Sequence, residues 1–338
     1  MTMCTVFPAC YIEIPESSKC RRAPFFLAAE EYVAKKLPPC TYLFSWQVPP
    51  TVVMGRNQIV HHEIDINFCH EHHIDIVRRK SGGGTIFADN NNIMWSLITT
   101  SGAVEPLFAD YAHHITSALN KIGIQVQVSG RNDIILQNAG KVCGNAFYRL
   151  PRRNIVHGTM LYDTQTDLML GALKPDMHKM NEKGVKSVHS RIGLLKEYTD
   201  ISISDLRLYL RNELCNRYIQ LTPTDLKRIE ELEDTYHQSR FIFGHAAHTD
   251  IIEKQRIPQC GTLELHISLK GTLIKDISLY GDYFELAPSS EIFKSAFLYI
   301  PFTLQAISEV IETKHPEKSI RGLTADHLRA LFANLLTE

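Results

Sequence analysis

The chain has 338 residues, and its 36 basic and 37 acidic side chains give a formal net charge of −1 at pH 7. Hydrophobic residues make up 44% and charged residues 22%, which are ordinary values for a globular protein. These values argue against a disordered chain and against a protein that holds nucleic acid by bulk positive charge. No apolar run approaches the roughly 20 residues of a membrane helix, so we expect neither nucleic acid nor a membrane as a partner.

The first predicted elements are a helix and several short strands. Residues 24–37 predict the helix, because a proline suits its first turn and the Ala, Glu and Lys residues favour it. The β-rich runs that follow are 41–46, 51–54 and 74–77. A polar turn between 85–87 and 93–100 then predicts two paired strands.

Helices and strands continue to mix along the rest of the chain. Apolar residues at three- and four-residue spacing predict a long helix over 105–122. The next strand-like runs are 125–128, 133–136, 141–148 and 155–162. The helical runs after them are 168–173, 204–218 and 226–236. A second passage has strands over 261–268 and 273–279, and helices over 289–297, 302–311 and 324–336.

This order of elements predicts the fold class. Strands and helices without strict βαβ alternation are typical of an α+β fold with mixed or antiparallel sheets. The polar, histidine-containing segment near 238–258 predicts a domain boundary. We therefore expect a large domain over 1–240, a linker over 241–257 and a small α+β accessory domain over 258–338.

The eight cysteines are scattered and form no CxxC pair. A chain of this length can bury a core without disulfides, so we expect free thiols in a reducing compartment. The first residues carry no basic cluster before an apolar run and no Arg-rich amphipathic pattern. The expected location is therefore cytoplasmic, with neither a secretory signal nor a transit peptide.

A basic, glycine-rich loop is the strongest local signal for ligand binding. It reads Arg78-Arg79-Lys80-Ser81-Gly82-Gly83-Gly84 and lies between two predicted strands. Consecutive glycines let a backbone approach a ligand and expose N–H donors, and neighbouring cations bind phosphate or carboxylate. The alternative is a flexible hairpin with a solvated basic edge. The spacing matches neither a Walker loop nor a dinucleotide fingerprint.

A second segment combines a carboxylate with a lysine. Asp133 precedes a predicted strand, and Lys141 follows a tight turn. Asp133 could hold Mg²⁺, and Lys141 could neutralise a carboxylate that attacks an α-phosphate. The alternatives are a turn-forming aspartate and a surface lysine.

These segments together resemble the lipoate–protein ligase A family. The resemblance covers residues 25–195 and rests on five ordered motifs. They are the Arg-Arg-x-Ser-Gly-Gly-Gly loop, Gly130-Arg-Asn-Asp-Ile134, Gly140-Lys-x-x-Gly-Asn-Ala146, His157-Gly-Thr-Met-Leu161, and Lys183-Gly-x-x-Ser-Val-x-Ser-Arg191. Smaller supporting pieces are Leu27-Ala-x-Glu-Glu-Tyr32 and Val52-Val-Met-Gly-Arg-Asn-Gln58.

The resemblance implies a biotin/lipoate ligase-like catalytic fold and a two-step reaction. Lipoate and ATP would give lipoyl-AMP and pyrophosphate, and a lysine of an acceptor lipoyl domain would then take the lipoyl group. The implied acceptors are acyltransferase subunits of 2-oxoacid dehydrogenases and the glycine-cleavage H protein. The implied cofactors are ATP and Mg²⁺, and we expect a monomer.

The resemblance also assigns site residues. The ATP contacts are Arg79, Gly84, Thr85, Ile86, Phe87 and Lys141. The expected lipoate contacts are Lys141, Ser81, Gly82, Gly83, Ala146 and His157, and Asp133 is the metal ligand. Lys141 is the predicted catalytic residue, since it touches both substrates. For His157, a hydrogen-bonded strand histidine is the alternative, and for Phe87 and Ala146 it is an ordinary core position.

Two departures from the family pattern leave other functions open. Ala88 stands where a histidine is usual, and Phe147 where a glutamine is usual. They motivate a diverged paralogue that binds lipoyl domains without catalysis. The enzymatic alternative is an ATP-independent octanoyl or lipoyl transferase, which needs a thiolate nucleophile. Cys143, two residues from Lys141, is the nearest cysteine, and we expect it to be buried.

Overall fold

The computed structural model describes residues 7–15, 20–100, 102–130, 133–137, 140–174, 192–244 and 249–337. The chain separates into two compact units. The first contains the described residues within 1–53, 61–79 and 86–242. The second contains those within 54–60, 80–85 and 243–338, so the three glycines of the loop group with the C-terminal part of the chain, whereas Arg78 and Arg79 belong to the first unit.

The strands and helices have the following bounds. The strands are β1 (Ala9–Glu13), β2 (Tyr42–Trp46), β3 (Thr51–Met54), β4 (Asp75–Arg78), β5 (Ile86–Ala88), β6 (Asn92–Thr100), β7 (Val126–Ser129), β8 (Asp133–Leu136), β9 (Lys141–Leu150), β10 (Arg153–Leu161), β11 (Cys215–Gln220), β12 (Ile251–Ile257), β13 (Gly261–Lys270) and β14 (Leu273–Gly281). The helices are α1 (Ala23–Lys36), α2 (Val60–Glu63), α3 (Ile66–Glu71), α4 (Val104–Lys121), α5 (Thr166–Ala172), α6 (Ile203–Leu214), α7 (Pro223–His237), α8 (Ser239–Phe243), α9 (Ser289–Phe297), α10 (Leu304–Lys314) and α11 (Ala325–Thr337).

A mixed sheet organises the first unit. Within the described ranges, its eight strands run in the order β11-β1-β2-β6-β10-β9-β8-β7. β1 is parallel to β11 and β2, and the other neighbours are antiparallel. A second sheet has the order β4-β3-β5. The predicted α+β class with mixed and antiparallel sheets is confirmed.

Helix α1 is buried along nearly its whole length, from Ala23 to Ala34. It packs on β6 and β10 on one side and on α7 on the other. Its C-terminal end is held by Arg153, which donates to the carbonyl oxygens of Leu37, Pro38 and Cys40 at 3.0, 2.6 and 2.8 Å. A guanidinium is suited to this position because the last carbonyls of a helix lack intrahelical partners.

The predicted pairing of 85–87 with 93–100 is wrong, because β5 and β6 lie in different sheets. β5 pairs with β3, whereas β6 lies between β2 and β10. The buried carboxylate of Asp89 fixes the sharp change of direction between them. It accepts hydrogen bonds from the Asn91 N–H (2.9 Å), the Thr164 hydroxyl (3.1 Å) and the Gln165 N–H (2.8 Å). The side chain therefore supplies acceptors that a hairpin ladder would otherwise provide.

The predicted helix over 204–218 is too long. Helix α6 ends at Leu214, and the chain continues as β11, which runs beside β1. Arg217 and Tyr218 suit a helix by local propensity, but pairing with β1 satisfies their backbone groups instead. β1 was not among the predicted strands, so no partner strand was expected for residues 215–220.

In the second unit, α9, α10 and α11 share one core with the antiparallel sheet β12-β13-β14. Residues 251–257, which the sequence analysis assigned to a linker, form β12. Along β12, partly buried residues alternate with exposed ones, as in a strand with one face on a core, and Ile257 at its end is buried. The predicted domain boundaries at 240 and 258 remain predictions.

No described helix has the length and hydrophobicity that crossing a bilayer requires.

The Arg153 contacts generate a stability prediction. Replacing Arg153 with Met removes three hydrogen bonds from a cation that is only 5% exposed. We expect the free energy of unfolding in urea to fall by about 3 kcal/mol, since bonds to charged groups contribute about 1.5–3 kcal/mol. Arg152→Met, at the exposed neighbouring position, is the control and should stay within about 0.5 kcal/mol of the unaltered chain. Equal stability of the two variants would contradict this role.

Candidate functional site

A β-bulge sets the direction of the Lys141 side chain. Asp133 pairs with Gly144 and Ile134 with Cys143, but Ile135 pairs with Lys141 rather than with Val142. One extra residue, Val142, is therefore present in β9, and it reverses the alternation of faces for the residue that precedes it. Lys141 consequently lies on the same face as Gly144 and Asp133, instead of on the face of Cys143.

Lys141 and Asp133 form an ion pair on that face. The Nζ of Lys141 is 2.8 Å from Oδ1 of Asp133, and the two side chains are 38% and 34% exposed. A Cβ on Gly144 would lie 2.6 Å from both Cε and Nζ of Lys141. Gly144 thus provides the space in which the lysine side chain lies across β9. The backbone at the start of β9 is held by Gly193, whose N–H donates to the Lys141 carbonyl at 2.9 Å.

The same sheet face carries two more predicted lipoate contacts. Ala146 is two residues beyond Gly144 in β9, and its partner in β10 is His157. Side chains two residues apart in a strand, and side chains of paired residues, share a face. The structure therefore brings Lys141, Asp133, Ala146 and His157 to one face of the sheet.

His157 is hydrogen-bonded through Nδ1, in the middle of β10. This nitrogen is 3.0 Å from each carboxylate oxygen of Glu30, which lies on α1. The Ser96 hydroxyl donates to the same carboxylate at 2.5 Å, and the indole N–H of Trp46 donates to Ser96 at 2.9 Å. All four residues are buried. Glu30 and Ser96 were not among the predicted site residues, although Glu30 lies in the Leu-Ala-x-Glu-Glu-Tyr motif that supports the family resemblance.

Arg79 is buried at the end of β4. Its Nη1 donates to the Val53 carbonyl at 2.9 Å. Burial lowers the pKa of Arg79 to about 10, an effect that the carboxylate of Glu30 opposes and that Arg78 reinforces. The guanidinium therefore stays charged at neutral pH in a largely desolvated position, where an anion would interact with it strongly.

Residues 80–85, which include the three loop glycines, belong to the second unit, where the loop meets the backbone of Tyr283 and Phe284. Gly83 has a φ of 86°, and its N–H donates to the Tyr283 carbonyl at 3.1 Å. A Cβ on Gly82 would lie 2.3 Å from that oxygen, and one on Gly55 would lie 1.8 Å from the Gly83 carbonyl oxygen. Gly55 and Gly82 are therefore required because the backbone of another segment passes too close for a side chain. The Gly83 N–H, which was predicted to face a ligand, donates instead to the Tyr283 carbonyl.

The remaining residues of this loop are less constrained. A Cβ on Gly84 would meet its nearest neighbour at 4.0 Å. The Thr85 hydroxyl donates to Oε1 of Gln58 at 2.7 Å, and that oxygen also accepts the Gly55 N–H at 2.9 Å. The Ser81 carbonyl accepts the Arg56 N–H at 2.8 Å. These bonds tie the loop to the Gly-Arg-Asn-Gln segment, which also belongs to the second unit.

Ile86 and Phe87 lie in β5, opposite Val53 and Val52 of β3. Phe87 is 2% exposed, as expected for a core residue as well as for a pocket wall. Ala88 is completely buried opposite Thr51. The methyl group therefore fits among packed side chains at the position where the family pattern has a histidine.

Cys143 and Phe147 occupy the sheet face opposite to Lys141. Phe147 packs edge-on against Phe108 of α4, with ring centroids 5.6 Å apart. Cys143 is fully buried, and burial raises the pKa of its thiol to about 12, although Lys141 opposes this shift. The Phe147 departure therefore lies away from the Lys141 face, and Cys143 is a neutral core thiol.

A cavity of about 660 Å³ opens where β1 and β2 end. The stacked rings of Phe26 and Trp46, 4.9 Å apart, form part of its wall, with Arg21 and Arg207 beside them. None of the described residues that line it is a predicted site residue.

The motif over 183–191 and residues 131–132 lie outside the described residues.

Comparisons with known proteins identify the class. The model for the lipoyl protein ligase A/B catalytic domain matches residues 23–215, and the model for the bacterial lipoate protein ligase C-terminus matches residues 247–332. Both modules of a lipoate ligase are thus present in sequence order. The chain belongs to the lipoate–protein ligase family, whose members are enzymes of the ligase class.

Curated relatives agree over most of the chain. Lipoate-protein ligase LplJ of Bacillus subtilis is 30% identical over 298 residues, which cover 85% of this chain and 89% of that protein. Lipoate–protein ligase 1 of Staphylococcus aureus is 28% identical and covers 79% of this chain and 83% of its own length.

Solved structures agree in fold. LipL1 of P. falciparum, in complex with lipoate, covers 98% of this chain and 99% of its own, with a TM-score of 0.79 at 18% identity. A lipoate-protein ligase A bound with ATP covers 70% of this chain and 99% of its own, with a TM-score of 0.61 at 19% identity.

The contact of Gly144 with Lys141 generates a prediction. Gly144→Ala should leave the fold intact, because the atoms that its methyl group meets are the mobile end of a lysine side chain. Lys141 must then move away from Asp133, and we expect ligase activity to fall about tenfold or more, the effect of losing one charged contact. Gly102→Ala is the matched control, since a Cβ there meets nothing within 4 Å. Equal activity of both variants would show that the lysine position does not matter.

Proposed function

We propose that the protein is an ATP-dependent lipoate–protein ligase. It activates lipoate to lipoyl-AMP and transfers the lipoyl group to a lysine of acceptor lipoyl domains. The observation that carries this proposal is the bulge in β9, which turns Lys141 to the sheet face of Asp133, Ala146 and His157. The lipoate-bound and ATP-bound structures of similar fold support the choice of the two substrates.

Adenylation needs a cation between two anions. The lipoate carboxylate attacks the α-phosphate of ATP, and pyrophosphate leaves as the mixed anhydride forms. Lys141 is the proposed catalytic residue, because its ammonium group reduces the repulsion between carboxylate and phosphate as charge concentrates at the α-phosphate. The partial exposure of this ammonium group leaves it open to both substrates. Arg79 is proposed to bind the nucleotide phosphates.

Gly84, Thr85, Ile86 and Phe87 are the further proposed ATP contacts. The open space above Gly84 supports a close approach of a ligand at that position. In addition to Lys141, the proposed lipoate contacts are Ser81, Gly82, Gly83, Ala146 and His157. Support is strongest for Ala146 and His157, which share the Lys141 face.

Asp133 is the proposed protein ligand of Mg²⁺. The described residues contain no group of three or more His, Cys, Asp or Glu side chains that could hold a metal. A single carboxylate nevertheless fits this ion, because Mg²⁺ commonly binds one or two carboxylates together with substrate phosphates. When bound, the ion would supply positive charge to the phosphates, and Lys141 would share the Asp133 carboxylate with it.

In the second step, the amine of an acceptor lysine attacks the carbonyl of lipoyl-AMP and AMP leaves. This step needs no nucleophile from the present chain. The proposed acceptors are lipoyl domains of 2-oxoacid dehydrogenase complexes and the glycine-cleavage H protein. A solved structure of similar fold belongs to an archaeal lipoylation system from Thermoplasma acidophilum, which comprises a bipartite lipoate protein ligase and its E2 lipoyl domain, and this supports the proposed class of acceptor. A monomeric state and a cytoplasmic location complete the proposal.

The burial of Cys143 argues against a thioester mechanism at that residue. A transferase nucleophile must be an accessible thiolate. Cys143 is fully buried and its thiol pKa is raised to about 12, so the neutral thiol predominates at physiological pH.

A pyrophosphate assay tests the proposal against the transferase and the non-catalytic alternatives. The chain is mixed with ATP and lipoate, octanoate or biotin, without an acceptor. Lipoate-dependent pyrophosphate release is the expected result, and Cys143→Ala should retain it because the thiol takes no part. Lipoyl transfer from a thioester donor in the absence of ATP would contradict the proposal, as would the lack of release with every acid.

The proposed role of Lys141 gives a further prediction. Lys141→Ala should abolish lipoyl-AMP formation, with a fall of about a thousandfold in rate, which corresponds to about 4 kcal/mol of transition-state stabilisation. Circular dichroism should show an unchanged fold, because the side chain is 38% exposed. Lys121→Ala, which removes a lysine from an exposed ion pair with Glu213, is the control and should retain full activity. A normal rate in the Lys141 variant would refute the site assignment.

A further inference from the structure

A directional chain of hydrogen bonds ends at the carboxylate of Glu30. The indole N–H of Trp46 donates to the Ser96 hydroxyl, so the hydroxyl hydrogen of Ser96 points to Glu30. From the other side, Nδ1 of His157 approaches both Glu30 oxygens at 3.0 Å. A carboxylate accepts and does not donate, so Nδ1 of His157 carries a hydrogen. The ring tautomer and orientation of His157 are thereby determined by Glu30.

The carboxylate itself has little freedom to move. Glu30 is 3% exposed and lies on α1, which is buried nearly along its length and fixed at its C-terminal end by Arg153. A buried carboxylate needs compensation by charge or by hydrogen bonds. Ser96 and His157 supply the hydrogen bonds, and Arg79 supplies a nearby positive charge.

The position of His157 relative to Lys141 suits contact with one small substrate. The Lys141 ammonium lies over Gly144, and His157 pairs with Ala146, two residues farther along β9. Two residues of a strand span about 7 Å. An acyl carboxylate held by Lys141 would reach His157 if its chain ran along β9 on this face.

We propose that Glu30 is a positioning residue for His157, holding the imidazole through Nδ1 in one tautomer and one orientation for contact with the acyl group of lipoate. This inference rests on the proposed function, because the contact of His157 with lipoate is itself part of that proposal. The hydrogen bond is the means of positioning. An acceptor of the same shape should therefore replace the carboxylate.

Kinetic measurements on Glu30→Ala and Glu30→Gln test the proposal in the full chain. In Glu30→Ala the ring loses its acceptor, and the KM for lipoate in pyrophosphate release should rise about tenfold or more, with the KM for ATP unchanged. Glu30→Gln keeps an acceptor oxygen at the same place and should stay within about threefold of the unaltered chain. Ser96→Ala releases one bond to Glu30 and should give an intermediate effect, which keeps the test open if Glu30→Ala does not fold.

Glu31→Ala is the matched control. Glu31 is the neighbouring buried glutamate of α1, and its carboxylate interacts with Tyr236 and Lys35. Its loss should reduce stability but leave the KM for lipoate unchanged. An equal rise in lipoate KM for the Glu30 and Glu31 variants would overturn the proposal, because it would indicate a general effect on α1. An impairment of Glu30→Gln as large as that of Glu30→Ala would also overturn it.

A spectroscopic readout separates this inference from the proposed function. Nitrogen-15 NMR of labelled histidine should show His157 with its hydrogen on Nδ1 in the unaltered chain and in Glu30→Gln. In Glu30→Ala the ring should no longer be restricted to this tautomer. A bare Nδ1 in the unaltered chain would overturn the positioning contact. If the tautomer is as expected but lipoate stimulates no pyrophosphate release, the proposed function fails, and with it the role of His157 toward lipoate.

Discussion

The bulge in β9 is the constraint on which the candidate site depends. Without the extra residue at Val142, regular alternation would turn Lys141 to the face of Cys143 and Phe147, where Phe147 packs against Phe108 of α4. With it, the ammonium group lies over Gly144 beside Asp133. A one-residue irregularity therefore decides whether the lysine faces the core or the predicted ligand side.

Burial of charge on this face gives the site its electrostatic character. Glu30, Arg79 and His157 are all less than 10% exposed, and each has a partner that compensates for desolvation. In such surroundings, the interaction between fixed charges and an added anion is stronger than in water. The near-zero net charge of the chain is consistent with this arrangement, because the useful positive charge is local.

Much of the secondary structure could be predicted from the sequence, because hydrophobic periodicity and composition act within a single helix or strand. The period of α4 and the composition of α1 predicted both helices to within a few residues. Pairing was not local: the separation of β5 from β6 depends on Asp89 contacting Thr164, 75 residues away. The end of α6 likewise depends on β1, which lies some 200 residues earlier in the chain.

The candidate site was predictable as residue types but not as geometry. Motif resemblance drew attention to Lys141, Asp133 and His157, yet the bulge leaves no mark in the sequence that distinguishes Val142 from a regular strand residue. The contact between Glu30 and His157 joins residues 127 positions apart and required the packing of α1 on β10. The sequence predicts a ligand-binding nest at the glycine loop, whereas in the structure Gly82 and Gly83 also contact the backbone at Tyr283.

The central claim is that Lys141 lies between the two anionic substrates. Amine-reactive acetylation of the unaltered chain, quantified by mass spectrometry, tests it directly. ATP and lipoate added together should slow labelling of Lys141 several-fold, while labelling of the exposed Lys121 stays constant. Equal labelling of Lys141 with and without the two substrates would contradict the account.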